Sequence, residues 1–432
     1  MVAILEEEKM SIVVHGDCLE ELKKLEDDSV DAVITDPPYG LSNTKPQQVA
    51  DVLKAWVSGD TKVVPAGKGF MGNEWDSFVP PPAVWEECMR VLKPGGHMAV
   101  FAGARTQDLM GLSIRLAGFE IRDTLGWVYG SGFPKSHDIG KAIKKHEEDS
   151  EQWDGWGTAL KPAIEPIILA RKPLEGTVAN NVLSHGVGGL NIDACRVPSD
   201  TPIPSHHGTS GAAGVTMGKY RDYVPGSDTA ASVENVQTAG RFPANVLLDE
   251  HAAKEMDEQS GNVKGVIGMK KVSGGHNFNI GEHTPQKFNK TSERIEDSGG
   301  ASRFFPVFKY QAKAPKKERP VIEREDGSKI QHPTVKPVAL MEWLVELITP
   351  PGGVVLDPFA GSGTTLQAAL NKGFQPIGIE QDVDYIKLIE QRLQLTQEWR
   401  EDKPEEAAAR MQEQGHTTRI VERRVSPPQI TQ

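Results

Sequence analysis

Residues 354–369 read "VVLDPFAGSGTTLQAA", and the order of residue types in this stretch decides the fold class. An apolar run ends in Asp357, a turn of small residues follows, and a run of good helix formers begins at Thr364. An apolar run bounded by such a turn is a buried strand, and a glycine-containing turn that opens a helix is the strand-to-helix link of an α/β sheet. Gly361 and Gly363 let the backbone N–H groups at the helix start approach a ligand with no side chain in the way. The third spaced glycine of a dinucleotide site is missing, as is the lysine that a P-loop places before its Ser or Thr.

The α/β pattern extends in both directions. Downstream, "QPIGIE" is a strand and "DVDYIKLIEQRLQ" a helix; upstream, "HPTVKPVALMEWLVELITPPGG" is a turn followed by an apolar-periodic helix. The first hundred residues alternate in the same way, with strands in "SIVVHGD", "SVDAVITD" and "HMAVFAG" and helices in "CLEELKKLED" and "VWEECMRVLKPGG". "FEIRDTLGWVYG" and "EPIILARKPL" add two further strands. Residues 173–305 differ in texture: they are rich in Gly, Ser, Asn and His, and only "GRFPANVLLDEHAAKEMDE" suggests a strand and helix. The stretch 397–432 is charged and Gln-rich and reads as a tail, at most helical. Residues 1–172 and 306–396 thus both carry an α/β pattern, and 173–305 reads as an insertion between them.

Composition narrows the function classes. With 432 residues, 38% hydrophobic and 25% charged, the chain is an ordinary globular protein with no apolar run of membrane-spanning length. The start "MVAILEEEKMSIVV" lacks the basic-then-apolar order of a secretion signal, so a cytoplasmic protein is expected. Three scattered cysteines, Cys18, Cys88 and Cys195, form neither a disulfide framework nor a metal site. The net charge of −12 disfavours nucleic acid as a partner on average, yet residues 309–336 hold eight Lys/Arg against four acids. A run of this kind is most often a solvated linker, and charge alone does not assign it.

The ligand of the glycine loop follows from its acids. Glu380 ends the next strand, where an acid accepts hydrogen bonds from ribose hydroxyls, while Asp357 repels a pyrophosphate. A cationic nucleoside bearing an amino acid fits better, and S-adenosylmethionine has that description. Lys336, in "HPTVKP", is the candidate for its carboxylate.

A second motif, "VITDPPYGL" at residues 33–41, ends another strand. Asp-Pro pairs favour turns, so a tight turn is the ordinary explanation. The two prolines also fix the backbone and supply carbonyls without competing donors. Asp36 and the Pro37 carbonyl can grip the two hydrogens of an exocyclic amine while Tyr39 stacks on its ring. Drawing those hydrogens out of the ring plane localises the amine lone pair for attack on a sulfonium methyl.

Taken together, the motifs resemble the DNA amino-methyltransferases of the permuted β type, in which "DPPY" precedes "DPFAGSGTT". The likeness runs through "GDCLEELKKLEDDSVDAVITDPPYG", "VLKPGG", "WVYGSGFPKS", "HPTVKP", "VVLDPFAGSGTT" and "IGIEQDVDYIKLIEQRL", in that order. It implies a doubly wound, Rossmann-like α/β methyltransferase sheet in permuted order, assembled from 1–172 and 306–396 as one catalytic domain, with Asp36, Pro37, Pro38 and Tyr39 as the catalytic motif and double-stranded DNA as substrate. It implies a cofactor loop of Asp357, Phe359, Gly361, Ser362 and Gly363, with Glu380 as the ribose acid. Asp17 matches the acid that meets the adenine amine of the cofactor, and is also placed to cap the helix that follows. The insertion 173–305 matches the target-recognition region. Because the target amine lies inside the duplex, base flipping is implied, at a cost of ~a few kcal/mol.

Candidate phosphate contacts are Lys135, Arg171, Lys172, Lys316, Lys317 and Arg319, each of which also reads as a plain surface charge. Trp153 and Trp156 are candidates for stacking on an unpaired base. The resemblance implies an adenine N6 target over cytosine N4, since members of that family whose motif is led by Asp lean towards adenine and those led by Ser towards cytosine. A cytosine-C5 enzyme would need a nucleophilic thiol, usually in a Pro-Cys pair, and no cysteine here follows proline. A glutamine methyltransferase would lead with Asn and carry the cofactor loop upstream, and a nicotinamide dehydrogenase would need the full glycine fingerprint. An inactive DNA-binding module of the same fold is the rival of another class, and the intact Asp36, Tyr39 and glycine loop weigh against it. No nuclease motif is evident, so any restriction endonuclease partner is a separate protein; oligomeric state is not specified by these motifs.

Overall fold

The structure, a computed structural model, describes residues 13–402 apart from 43, 68, 70–75, 133, 135, 147–149, 200–239, 272–291, 309–318 and 325. Its first part runs β1 (Val13–His15), α1 (Cys18–Leu22), β2 (Val30–Thr35), α2 (Pro46–Val57), α3 (Pro82–Val91), β3 (Leu92–Phe101), α4 (Gln107–Leu116), β4 (Glu120–Val128), α5 (Ile139–Lys144) and β5 (Ile164–Arg171). Then come α6 (Val178–His185), β6 (Val246–Asp249), α7 (Glu250–Ser260), β7 (Val263–Lys271), β8 (Ser292–Gly299) and β9 (Val307–Phe308). The last part is β10 (Ile322–Glu323), β11 (Lys329–Ile330), α8 (Val338–Ile348), β12 (Val354–Asp357), α9 (Thr364–Asn371), β13 (Gln375–Glu380) and α10 (Val383–Asp402).

Nine strands form one sheet in the order β1-β13-β12-β2-β3-β5-β4-β6-β9. Strands from the two ends of the chain interleave: β1 pairs with β13 and β2 with β12, both in parallel. This is the doubly wound α/β arrangement expected from the motifs, with one departure. β5 runs antiparallel to both of its neighbours, β3 and β4.

All six residues of β2 are buried, as a central strand covered on both faces requires. Alternation then sends Val33 into a core with Trp85, Met98 and Ile114, and Ala32 and Ile34 into one with Leu340, Leu344 and Val355 on the opposite face. Helix α1 is shorter than its amphipathic sequence suggests. Asp17 caps it through Leu19 N–H at 3.0 Å and Glu20 N–H at 3.2 Å, but the N–H groups of Lys24 and Leu25 already bond three residues back, and the last turn tightens.

The stretch 173–305, expected as a separate insertion, is partly woven into the main sheet. β6 lies beside β4, with Leu247 and Leu248 fully buried. Three apolar residues, Val246, Leu247 and Leu248, suffice for a short strand once an open sheet edge is available. Asn181 of α6, fully buried, donates to the carbonyls of Pro94 and Val187 and accepts from Glu175 N–H. The backbone of β3 is thereby tied to α6 at the amino end of that strand. Gly95, at φ +78°, is required there, since a Cβ would stand 2.3 Å from Asn181 Nδ2. Among the described residues, β7 and β8 pair only with each other. Buried Asp297 holds the base of that hairpin, bonding Arg241 at 2.7 Å and Arg303 at 2.8 Å. Among the described residues no helix is long and apolar enough to cross a membrane.

Candidate active site

β2 and β12 are parallel neighbours that end at the same edge, so "DPPY" and "DPFAGSG" emerge side by side. From this pair the chain winds outward in opposite directions, to β13 on one side and β3 on the other. Such a switch point opens a crevice at the carboxyl ends of the strands. Asp36 and residues 359–362 line the same cleft.

The turn after β2 is held from both sides. Thr106 Oγ1 donates to the Tyr39 carbonyl at 2.6 Å, and Gly40 N–H donates to Asp76 Oδ1 at 2.8 Å. Both oxygens of Asp36 are engaged: Tyr39 OH donates to Oδ1 at 2.8 Å and Lys336 Nζ to Oδ2 at 2.7 Å. Lys336 also donates to Tyr39 OH at 3.0 Å and meets Glu165 Oε2 at 3.2 Å, with its ammonium 4.8 Å above the Phe101 ring. Burial works against that charge, but Asp36 and Glu165 outweigh it and hold Lys336 above the usual lysine range. Burial and the same two carboxylates push the Tyr39 phenol well up, so it stays a hydroxyl donor.

The neighbouring loop is built on two buried acids. Asp357 Oδ1 accepts from Thr35 Oγ1 at 2.7 Å and from Phe359 N–H at 3.1 Å. Burial pushes its carboxyl up to about 6 against the lowering effect of these bonds and of Thr365. Glu380 Oε2 accepts from Gly361 N–H and Oε1 from Asp382 N–H, both at 2.8 Å. Burial raises the Glu380 carboxyl too. Gly361 and Gly363 have φ of +54° and +76°, the left-handed region that favours glycine. His332 packs against Gly361, where a Cβ would stand 3.0 Å from Nε2, and crosses the Tyr385 ring edge-on at 4.7 Å. Buried Ser362 accepts at its carbonyl from Arg392 Nε at 2.6 Å.

Most of the residues named from sequence meet here: Asp36, Pro37, Pro38 and Tyr39 on one wall, and Asp357, Phe359, Gly361, Ser362, Gly363 and Glu380 on the other. Asp17 follows β1, whose His15 is in register with Glu380, and its carboxylate caps α1. Lys336, assigned from sequence to a cofactor carboxylate, lines this cleft and is engaged there by the protein's own Asp36 and Glu165. Arg171 and Lys172 lie elsewhere than expected. Arg171 ends antiparallel β5 and Lys172 follows it, at the edge opposite the cleft, where Arg171 is buried against Glu120 at 2.7 Å and Lys172 bonds Asp28 at 2.6 Å. Trp153 and Trp156 sit in the β4–β5 connection, which leaves and rejoins the sheet at the cleft edge. They pack edge to face at 5.3 Å, with Trp156 58% exposed. Arg319 precedes β10 and is half-buried. Lys135, Lys316 and Lys317 lie outside the described residues.

Four residues of the site carry no role in the sequence reading: Thr35, Glu165, His332 and Thr106. Glu165 was detectable as the one acid in the apolar stretch "IEPIILAR", and His332 as part of the quoted "HPTVKP".

The model of the N6/N4 methylase family, described as DNA methylase, matches residues 30–391. The type II methyltransferase M.HindIII of Haemophilus influenzae is 23% identical over 402 residues, covering 86% of this chain and 91% of that protein. The DNA adenine methyltransferase YhdJ of Escherichia coli is 24% identical over 385 residues, covering 89% of this chain and 82% of that protein. Among solved structures, the PvuII DNA methyltransferase, described as cytosine-N4-specific, aligns with a TM-score of 0.41 at 14% identity, covering 88% of this chain and 85% of that one.

Proposed function

The chain belongs to the N6/N4 DNA methylase family and is a DNA methyltransferase of the N6-adenine/N4-cytosine type; from that premise we propose that it methylates the N6 amine of an adenine flipped out of double-stranded DNA. The observation that carries the reading is the Asp36 carboxylate, fixed through both oxygens at the switch point, next to the glycine loop.

S-adenosylmethionine, when bound, supplies an electrophilic methyl group on a sulfonium. The residues present suit it. Gly361 and Gly363 add no side chain of their own to obstruct a nucleoside, and the acids Asp357 and Glu380 favour a cation. Glu380 uses one lone pair of each oxygen to fasten the loop and keeps others for ribose hydroxyls, while Asp17 is exposed beside the same strand end for the adenine amine.

On the other wall, Asp36 and the Pro37 carbonyl accept the two hydrogens of the target amine. A carboxylate offers about four lone-pair sites, so Asp36 can bond the amine without releasing Tyr39 or Lys336. Holding the amine there directs its lone pair along the line of attack, and the Tyr39 ring provides the stacking face. The exposed Trp156 at the cleft edge suits contact with the opened duplex. The stretch 173–305 is the candidate target-recognition region.

Adenine is supported by an acid at the head of the motif and by the name of the Escherichia coli relative. Cytosine N4 is the second reading, since it presents the same pair of amine hydrogens to the same acceptors. Mass spectrometry of nucleosides from DNA incubated with the protein and S-adenosylmethionine tests both. N6-methyladenine with the intact protein and none with Asp36→Ala is expected; N4-methylcytosine overturns the base assignment, and no methylated base overturns the reading.

A further inference from the structure

We propose that Glu165 is a positioning residue for methyl transfer that preserves the negative charge of the acceptor site against Lys336. The inference rests on the proposed role of Asp36 and adds to it a function for two residues outside the "DPPY" motif.

Three charged side chains share one small space. Lys336 Nζ bonds Asp36 Oδ2 at 2.7 Å and Glu165 Oε2 at 3.2 Å, and Tyr39 OH reaches Asp36 Oδ1 at 2.8 Å and Glu165 Oε2 at 3.4 Å. The side chains of Lys336, Asp36 and Glu165 are 10%, 20% and 28% exposed, so water screens their charges weakly. An ammonium bonded to Asp36 fixes the plane of that carboxylate. Taken alone, it would also neutralise the group, and a neutral pair does little for a reaction that develops positive charge on the amine nitrogen. Glu165 removes this conflict. Two carboxylates sharing one ammonium leave a net charge of −1 beside the amine, so Asp36 is both held in orientation and electrostatically uncompensated.

The placement of Glu165 supports this role. It lies at the start of β5, the antiparallel strand next to β3, and β3 ends in the Phe101 ring that supports the Lys336 ammonium. Among the described residues, its carboxylate meets the side chains of Lys336 and Tyr39 rather than the backbone of a neighbouring segment, so it does not serve as a cap or a loop fastener. An acid whose partners are the catalytic tyrosine and the lysine bound to Asp36 acts on the reaction through those groups.

The test is a charge-balance cycle on the full-length protein, comprising Glu165→Gln, Glu165→Asp, Lys336→Met and the double variant E165Q/K336M. Single-turnover methylation of DNA is measured at saturating cofactor, and S-adenosylmethionine binding is followed separately by calorimetry. Glu165→Gln keeps the shape and removes the charge. It is expected to slow methyl transfer at least tenfold while cofactor affinity stays within threefold, and Glu165→Asp is expected to recover part of the loss. In the double variant the net charge returns to −1, so it is expected to be no slower than Lys336→Met alone. A Gln variant as fast as wild type, or losses that multiply in the double variant, would overturn the charge role. Unmodified DNA from the wild-type protein would instead remove the underlying reading, and calorimetric binding by each variant shows that it is folded.

Discussion

Replacing Asp357 by Asn should stabilise the folded protein at neutral pH. The carboxyl is buried and is pushed from the ordinary 3.8 up to about 6. Between those two values the folded state holds a proton that the unfolded state has already released, so raising the pH through this window costs folding stability. The full cost is present above pH 6 and disappears below pH 3.8. Integrating the linkage gives a penalty of ~3 kcal/mol at pH 7 and ~1 kcal/mol at pH 4.5. Asn at this position has no charge to desolvate and still offers an oxygen to Thr35 Oγ1 and Phe359 N–H, the acceptor's present partners. Urea unfolding at both pH values is the assay. The Asn variant should exceed wild type at pH 7, and its advantage should shrink by about 2 kcal/mol at pH 4.5. A variant less stable than wild type by the same amount at both pH values would mean that the hydrogen bonds, not the buried charge, dominate at this site.

Other substitutions separate the roles of the two walls and of the opposite edge. Glu380→Ala removes the acceptor for Gly361 and Asp382 N–H, and should weaken S-adenosylmethionine binding by ~1–3 kcal/mol in calorimetry; unchanged affinity would exclude a role for this acid in the cofactor site. Gly361→Ala places a Cβ at φ +54° and 3.0 Å from His332 Nε2, so a strain of ~1–2 kcal/mol should appear as a lower melting temperature and weaker cofactor binding together. Arg171→Met breaks the ion pair with Glu120 at the far edge and should lower the melting temperature while leaving DNA affinity, read by fluorescence anisotropy, unchanged. A marked loss of DNA affinity with intact stability would return Arg171 to the DNA surface.

What could be read from sequence was whatever is encoded by neighbouring residues. The glycine loop and the "DPPY" turn each lie within one short stretch, strand end and turn together, and their meeting at one edge follows from the rule that open α/β sheets bind ligands at the switch point. That both halves build one sheet was implied by the family resemblance of their motif order, while the particular pairs, β1 with β13 and β2 with β12, appear only in the structure. The strand at Val246–Asp249 was visible as a short apolar run, but its membership in the main sheet depends on an edge formed by β4, far away in sequence. The antiparallel course of β5 has no local marker, because an apolar strand reads alike in both directions.

Lys336 shows how a charge can be read from sequence without the partners that the fold gives it. A lysine beside a cofactor loop needs a carboxylate, and the ligand was expected to bring one. The protein already places two within 3.2 Å, Asp36 and Glu165, which come from strands separated in the chain and brought close in the sheet. An exposed lysine can wait for its ligand in water, but one that is 10% exposed cannot remain unpaired at that depth without a large desolvation cost. The carboxylates that fold alongside it therefore have first claim. The same reasoning explains why Glu165 escaped notice: its charge is meaningful only relative to Lys336 and Asp36, and that relation exists only once β2, β3 and β5 lie side by side.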